Sequence, residues 1–399
     1  MERGDYSDQH LSDISPGLRS LVWIAKLASG NAEVDAAISE IEKLANQVGW
    51  RKISELAERH GMKPFLNQSL ASNRFNSAPQ EMAQSARKAT SALARHNLLA
   101  TADLIEILSE LERNGILAIP VKGPALAWLL YRDISLREFS DLDLLIDGKD
   151  LGAASRILET LGYEPELELS PSRRRIFVTT ENVLLFTHSS TGRFVEMHWE
   201  LSPRYLAPPI DIEIFRKRLR TVEPGGRVMK AMSEEDTLIY LCAHGAKHYW
   251  EKLNWVTDIA TLINRSEAMD WSYIFEQAEA RRSELMLLLG LSIAQDLLGT
   301  RTPDLALEYF RRSPIVSRLT EDAKEWLLTE TDTPPGWLRR WIFYSRLQKG
   351  LPDKLRFAYL SLAAPNTVDW QSVDLPDSLS SLYYFARPLR LFAGLARRR

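Results

Sequence analysis

The chain has one cysteine, Cys242, among 399 residues. No disulfide can close within it, and a lone thiol suits a reducing compartment. Long apolar runs are also missing. The longest, residues 285–298, is interrupted by Gln295 and Asp296 and falls short of the roughly 20 apolar residues that a bilayer crossing needs. The opening MERGDYSDQH is polar and lacks the apolar stretch of a signal peptide. Charge of one sign is scarce: 50 Lys and Arg face 53 Asp and Glu, a net of −3. That balance argues against bulk electrostatic capture of nucleic acid or membrane. No repeat and no low-complexity segment occurs. What is left is a cytoplasmic globular protein, 45% hydrophobic and 26% charged, long enough for two or three domains.

Three regions follow from the texture. Residues 1–115 predict helices: Ile38, Ile41, Leu44, Ala45 and Val48 recur at helical spacing, as do Leu98, Ala102, Ile105 and Leu108. Asn114-Gly115 ends the last of them. Residues 116–232 change character. Strands are expected at 116–121, 139–146, 182–187 and 193–201, with helices at 125–131 and 151–161. Pro120 puts the first strand at an edge or ends it there. Residues 233–399 are helical again, with a loop at Pro334-Pro335-Gly336 and a basic end, Arg397, Arg398 and Arg399. Those arginines could touch anionic lipid, although a solvated tail is the plainer reading.

Chemistry concentrates in Ser140-Asp141-Leu142-Asp143-Leu144-Leu145-Ile146. Side chains alternate along a strand, so Asp141 and Asp143 share one face. Two carboxylates so placed repel unless a cation lies between them. Magnesium takes oxygen ligands from one or two carboxylates and substrate phosphates, and two such ions can hold the attacking and leaving oxygens of a phosphoryl displacement. Taken alone, the pair is as well explained by a strand end facing water. Relief of repulsion would leave Asp143→Asn at least as stable as the parent.

Upstream, Lys122-Gly123-Pro124 turns a strand into a helix. A helix N-terminus offers free N–H groups to phosphate, glycine lets a ligand approach, and Pro124 fits the first turn. On the later strand, Glu196, His198 and Glu200 share a face, with Val195, Met197 and Trp199 on the other. Glu196 is the candidate third acid, with His198 beside it and Glu200 nearer the strand end. An amphipathic edge strand would look the same. His244 and His248, four apart on a helix, could bind zinc, but Gly245 stands where a zinc peptidase carries Glu. Lys247 and His248 could instead face a nucleotide phosphate, or the histidines could be a structural pair bonded to Asp258. Cys242 reads as core.

The order of glycine corner, Asp-x-Asp strand and later acid resembles the DNA polymerase β-like nucleotidyltransferase core. The wording VKGPALAWLLYRDISLREFSDLDLLID resembles an uncharacterised bacterial nucleotidyltransferase family often found in polysaccharide and peptide-modification gene clusters. Arg137, Ser140, Asp141 and Asp143 match one of its motifs, and Glu196, His198 and Trp199 match its acid-x-His-Trp strand. Within LCAHGAKHYWEKLNWVTDIATLI, residues His244, Lys247, His248, Trp250, Leu253 and Asp258 match a helical segment. Pro124 after Gly123 departs from the superfamily's usual Ser or Gly.

The resemblance implies an α+β fold: a small mixed sheet with helices, flanked by N- and C-terminal helical regions. It implies transfer of a nucleoside monophosphate from an NTP, with ATP the expected nucleotide, to an unidentified acceptor. Two Mg2+ ions would sit on Asp141, Asp143 and Glu196. Lys122, Gly123, Arg137, Ser140, His198, Lys247 and His248 would bind the nucleotide. The alternative is a silent nucleotide-binding or scaffold protein of the same fold.

Overall fold

A computed structural model describes residues 14–266, 268–331, 333–372, 376, 379 and 382–396. The N-terminal stretch and the arginine tail, Arg397–Arg399, lie outside them. Five helices lead: α1 (Pro16–Ser29), α2 (Val34–Val48), α3 (Trp50–Arg59), α4 (Lys63–Ala71) and the long α5 (Gln80–Arg113). Then come β1 (Ala118–Pro120), α6 (Gly123–Tyr131), β2 (Asp141–Ile146), α7 (Leu151–Thr160), β3 (Tyr163–Pro165), α8 (Pro171–Thr180), β4 (Val183–His188) and β5 (Phe194–His198). A short helix, α9 (Glu213–Arg216), precedes a small hairpin, β6 (Arg220–Val222) and β7 (Met229–Ala231). Helices complete the described chain: α10 (Glu234–Lys247), α11 (Leu253–Arg265), α12 (Trp271–Ala280), α13 (Glu284–Leu298), α14 (Asp304–Arg312), α15 (Pro314–Leu327), α16 (Trp337–Arg346), α17 (Leu351–Ala363), α18 (Thr367–Ser372) and α19 (Tyr383–Ala396).

The main sheet runs β1-β2-β5-β4-β3. Only β2 and β5 are parallel; the other neighbours are antiparallel. The fold is thus α+β with a small mixed sheet and flanking helices. Pro120 sits at the end of an edge strand, where a missing N–H costs no ladder bond. Residues 142–146 of β2 are buried, because the strand is central and helices cover it. One core cluster runs from Leu18 to Tyr383 and takes side chains from all three segments.

Several elements differ from the expected pattern. The strand expected at 193–201 ends at His198. Beyond it the Glu200 carboxylate accepts from Ile210 N at 2.9 Å and from Arg204 Nη2 at 3.4 Å, so the chain leaves the sheet to fold round its own acid. β3, α8 and the β6–β7 hairpin were not expected. Three-residue strands carry too little alternation to stand out. α8 is polar, but its start is legible: Ser170 Oγ accepts from Arg173 N, with Pro171 in the first turn.

Candidate active site

β1, β2 and β5 assemble the site. In the parallel β2–β5 ladder Asp143 lies opposite Glu196 and Leu145 opposite His198. Asp141, Asp143, Glu196 and His198 therefore share one face of the sheet. Asp141, the first residue of β2, is half-buried; Asp143 is 2% exposed. At the neighbouring corner Gly123 opens α6 with φ +56°, a conformation that glycine adopts without strain. No side chain caps that helix start.

Lys122 Nζ lies 2.6 Å from Asp143 Oδ1. His198 Nε2 lies 3.2 Å from the same oxygen and 3.1 Å from Glu196 Oε2. The other oxygen, Asp143 Oδ2, is buried without a hydrogen-bond partner. Burial opposes the charge on Asp143, but Lys122 and His198 outweigh it and hold the carboxyl far below the usual range. Burial likewise opposes the Lys122 charge, and Asp143 and Tyr240 outweigh it. Glu196 is lowered by its bond to His198. Asp141 is raised, first by burial and then by the charge of Asp143.

One ligand atom each from Asp143, Glu196 and His198 lies within 4.8 Å of the others, the one such group among the described residues. The orphaned Asp143 Oδ2 and the strained Asp141 fit a cation placed between them, since both defects vanish when positive charge arrives. Two carboxylates suit magnesium; an imidazole nitrogen belongs more to transition metals. The tight group thus contains His198 where the sequence pattern put Asp141, although Asp141 shares the face.

The remaining expected residues divide. Ser140 is exposed beside Asp141. Lys122, expected to meet phosphate, forms an ion pair with Asp143. Arg137 is buried, its Nε 3.1 Å from Asp258 Oδ2, and Tyr131 Oη donates to Asp258 Oδ1 at 2.6 Å. Its guanidinium is therefore spent beneath the site, supporting the loop that enters β2. Asp258 is accordingly not the partner of the histidines. The rings of His244 and His248 lie 4.6 Å apart and pack on Trp255 at 5.1 and 5.4 Å. Burial, then neighbouring lysines, depress both; His248 falls to about 3. Both are uncharged at neutral pH. Lys247 is half-buried and makes no ion pair among the described residues, while Lys122, Glu196 and Asp143 all act on it. Cys242 is core, its thiol pushed up by burial.

Two residues escaped the sequence reading. Tyr240 is buried and interacts with Lys122. It was findable, because Tyr240, His244 and Lys247 recur at i, i+4 and i+7 on α10. Glu181 is half-buried at the C-terminal end of α8, with Oε1 unpartnered, and burial pushes its carboxyl up to about 7. Its sequence context, Thr180-Glu181-Asn182, holds no signal for that.

The model of a family described as uncharacterised nucleotidyltransferases matches residues 46–299. No curated protein and no solved structure matches the chain. The matched span covers α3 through α13 and contains every residue of the acid cluster; the chain belongs to this family.

Proposed function

We propose, from membership of that family, that the chain transfers a nucleoside monophosphate from an NTP to an acceptor oxygen. The acceptor oxygen attacks the α-phosphorus, the bond to the β-phosphate breaks, pyrophosphate leaves, and the acceptor proton passes to solvent or a nearby base. The observation that carries this reading is the meeting of Asp141, Asp143 and Glu196 on one sheet face beside the open N-terminus of α6.

Asp141, Asp143 and Glu196 would hold Mg2+, which when bound supplies charge for the phosphate oxygens. His198, bridging Asp143 and Glu196, orients both carboxylates. Lys122 keeps Asp143 ionised. The Gly123 corner and Ser140 border the place for the phosphates, and Lys247 offers them an unpaired ammonium. His248 would contact the nucleotide only as a neutral ring. Arg137 acts through Asp258 rather than on the nucleotide. ATP is the expected nucleotide, and the lone thiol suits a cytoplasmic setting. Catalysis would consist of positioning and charge stabilisation.

The second reading is a silent nucleotide-binding protein. The complete set of acids favours turnover. Incubation with each α-labelled NTP, Mg2+ and host extract should label an acceptor, and Asp141→Ala or EDTA should abolish it. Nucleotide binding that is indifferent to both, without label transfer, would establish the silent reading.

A further inference from the structure

Beside the acid cluster the structure gathers charged side chains without joining them. Glu181 leaves α8 in an extended conformation and leads into β4. Val183 of β4 stands opposite His198 of β5, and the Trp199 amide donates to Asn182 O at 3.1 Å, so the ladder reaches the residue next to Glu181. Alternation then puts Glu181 on the face that carries His198, Glu196 and Asp143. The Thr367 amide supports its carboxyl, but Oε1 is buried with no hydrogen-bond partner. Two cations come near and stop short. Lys247, at the end of α10, feels the charges of Glu196, Asp143 and Glu181. Arg387, on α19, donates through Nη1 to Ala364 O at 3.1 Å, while its Nε is buried and unpartnered. Both act on Glu181, yet neither forms an ion pair with it among the described residues. Asp369, the other acid near Arg387, is held by Arg390 at 2.6 Å. The half-buried Tyr205 phenol lies close enough to feel both Arg387 and Glu181. Tyr344 Oη donates to Lys247 O at 2.6 Å and ties the end of α10 to α16.

Opposite charges buried near one another and left apart destabilise a fold, because a closed pair would recover part of the lost solvation. Buried polar groups left unpaired call for a reason. A ligand that brings a hydroxyl to Glu181 and negative charge to Lys247 and Arg387 completes all three. The unmatched charge is positive, since two cations face one carboxyl. Burial raises that carboxyl to about 7, so near neutral pH it can give or take a hydrogen bond with a hydroxyl, whereas an ammonium would need a full carboxylate. The group also crosses a boundary. The acid cluster lies within residues 46–299, the span of the family match, but Thr367 and Arg387 come from α18 and α19 beyond it. The C-terminal helices therefore complete a site that the matched span does not complete by itself.

We propose that Glu181, Lys247, Arg387 and Tyr205 form the acceptor-binding subsite, and that the acceptor is a small hydroxylated anion, a phosphate or carboxylate compound. The proposal rests on the nucleotidyltransferase reading, whose acceptor it specifies; Lys247 would lie between acceptor and triphosphate. Host extract is ultrafiltered, and the filtrate is divided on an anion exchanger. With α-labelled NTP and Mg2+, the parent should label a product from the filtrate, and only from the fraction that the exchanger retains. Glu181→Gln should raise the amount of that fraction needed for half-maximal labelling about tenfold, the worth of one hydrogen bond to a charged group. Its calorimetric affinity for the Mg2+–NTP complex should match the parent's. The substitution removes an unpaired buried acid, so unfolding does not explain the loss, and a variant at least as stable but poorer in turnover is what a functional group leaves behind. Unchanged circular dichroism verifies the fold. Parent-like half-saturation in Glu181→Gln overturns the proposal and leaves nucleotidyl transfer standing, as does an acceptor found in the retentate or in the exchanger flow-through. Equal weakening towards acceptor and nucleotide would put Glu181 in the nucleotide site and overturns it too. No labelling by the parent in whole extract would remove the transferase reading itself, and this subsite with it.

Discussion

Asp143 is tied to Lys122 and His198 at hydrogen-bond distance and is nearly inaccessible. The repulsion argument from sequence, under which Asp143→Asn costs no stability, therefore reverses. Asparagine leaves the Lys122 ammonium buried without its counter-ion, and breaking a buried pair costs on the order of 3 kcal/mol. Chemical denaturation should show that loss in Asp143→Asn but not in Asp141→Asn. Asp141 is half-buried and raised by burial and by Asp143, so neutralising it relieves a strain; its variant should be at least as stable as the parent while losing metal-dependent nucleotide binding. Lys122→Met tests the counter-ion role at the other end of the pair. It should lower kcat as well as raise KM, because it disturbs Asp143 itself; a change in KM alone would make Lys122 a simple phosphate contact.

At the scale of elements, the end of β5 decides which acid serves. The ladder puts Glu196 opposite Asp143, whereas Glu200 lies beyond the last paired residue, its carboxylate on the Ile210 amide. Glu196→Gln should cost about 100-fold in activity, as loss of a ligand or its orienting partner does. Glu200→Gln should leave kcat near the parent value and cost about 1 kcal/mol of stability, the worth of an ordinary buried hydrogen bond. Equal kinetic effects would remove β5 register as the deciding feature. The period-two face of Glu196 and His198 was legible in sequence, since alternation is a property of the strand alone. Where the strand stopped was not, because the termination depends on a side-chain bond across ten residues.

For the whole molecule, buried ionisable groups set a pH window. His60 is 1% exposed, both ring nitrogens lack partners, and burial followed by Arg59 and Lys252 lowers it to about 4. Its folded value lies below the ordinary one near 6.5, so its contribution is present above that pH and is lost as pH falls towards 4. Urea denaturation at pH 4.5 should show about 2–3 kcal/mol less stability from this group than at pH 7, and His60→Gln should flatten that part of the profile. Glu181 acts in the opposite sense. Its value of about 7 is set by burial against the Thr367 amide, Arg387 and Lys247, with Asp369 adding repulsion. A raised carboxyl contributes fully below its ordinary value near 4.5 and loses that contribution as pH rises through 7. Glu181→Gln should therefore be more stable than the parent at pH 8, by roughly 1–2 kcal/mol after solvent screening, and equal to it at pH 4. No gain at pH 8 would mean that Glu181 is solvated.

The sequence by itself determined the helix–sheet–helix order, the pairing of Asp141 with Asp143 and of Glu196 with His198 on their strands, and the glycine corner. These rest on local periods of 2 and 3.6 and on the backbone freedom of single residues, which need no distant partner. Tertiary structure alone decided that Lys122 serves Asp143, that Arg137 and Tyr131 are spent on Asp258, and that His198 stands inside the acid cluster. It also decided that Leu351, Leu355 and Tyr359 of α17 face outward. Each of these is a choice between partners more than 20 residues apart, or between core and solvent. Such choices depend on which surfaces packing has already covered, and no local pattern carries that information.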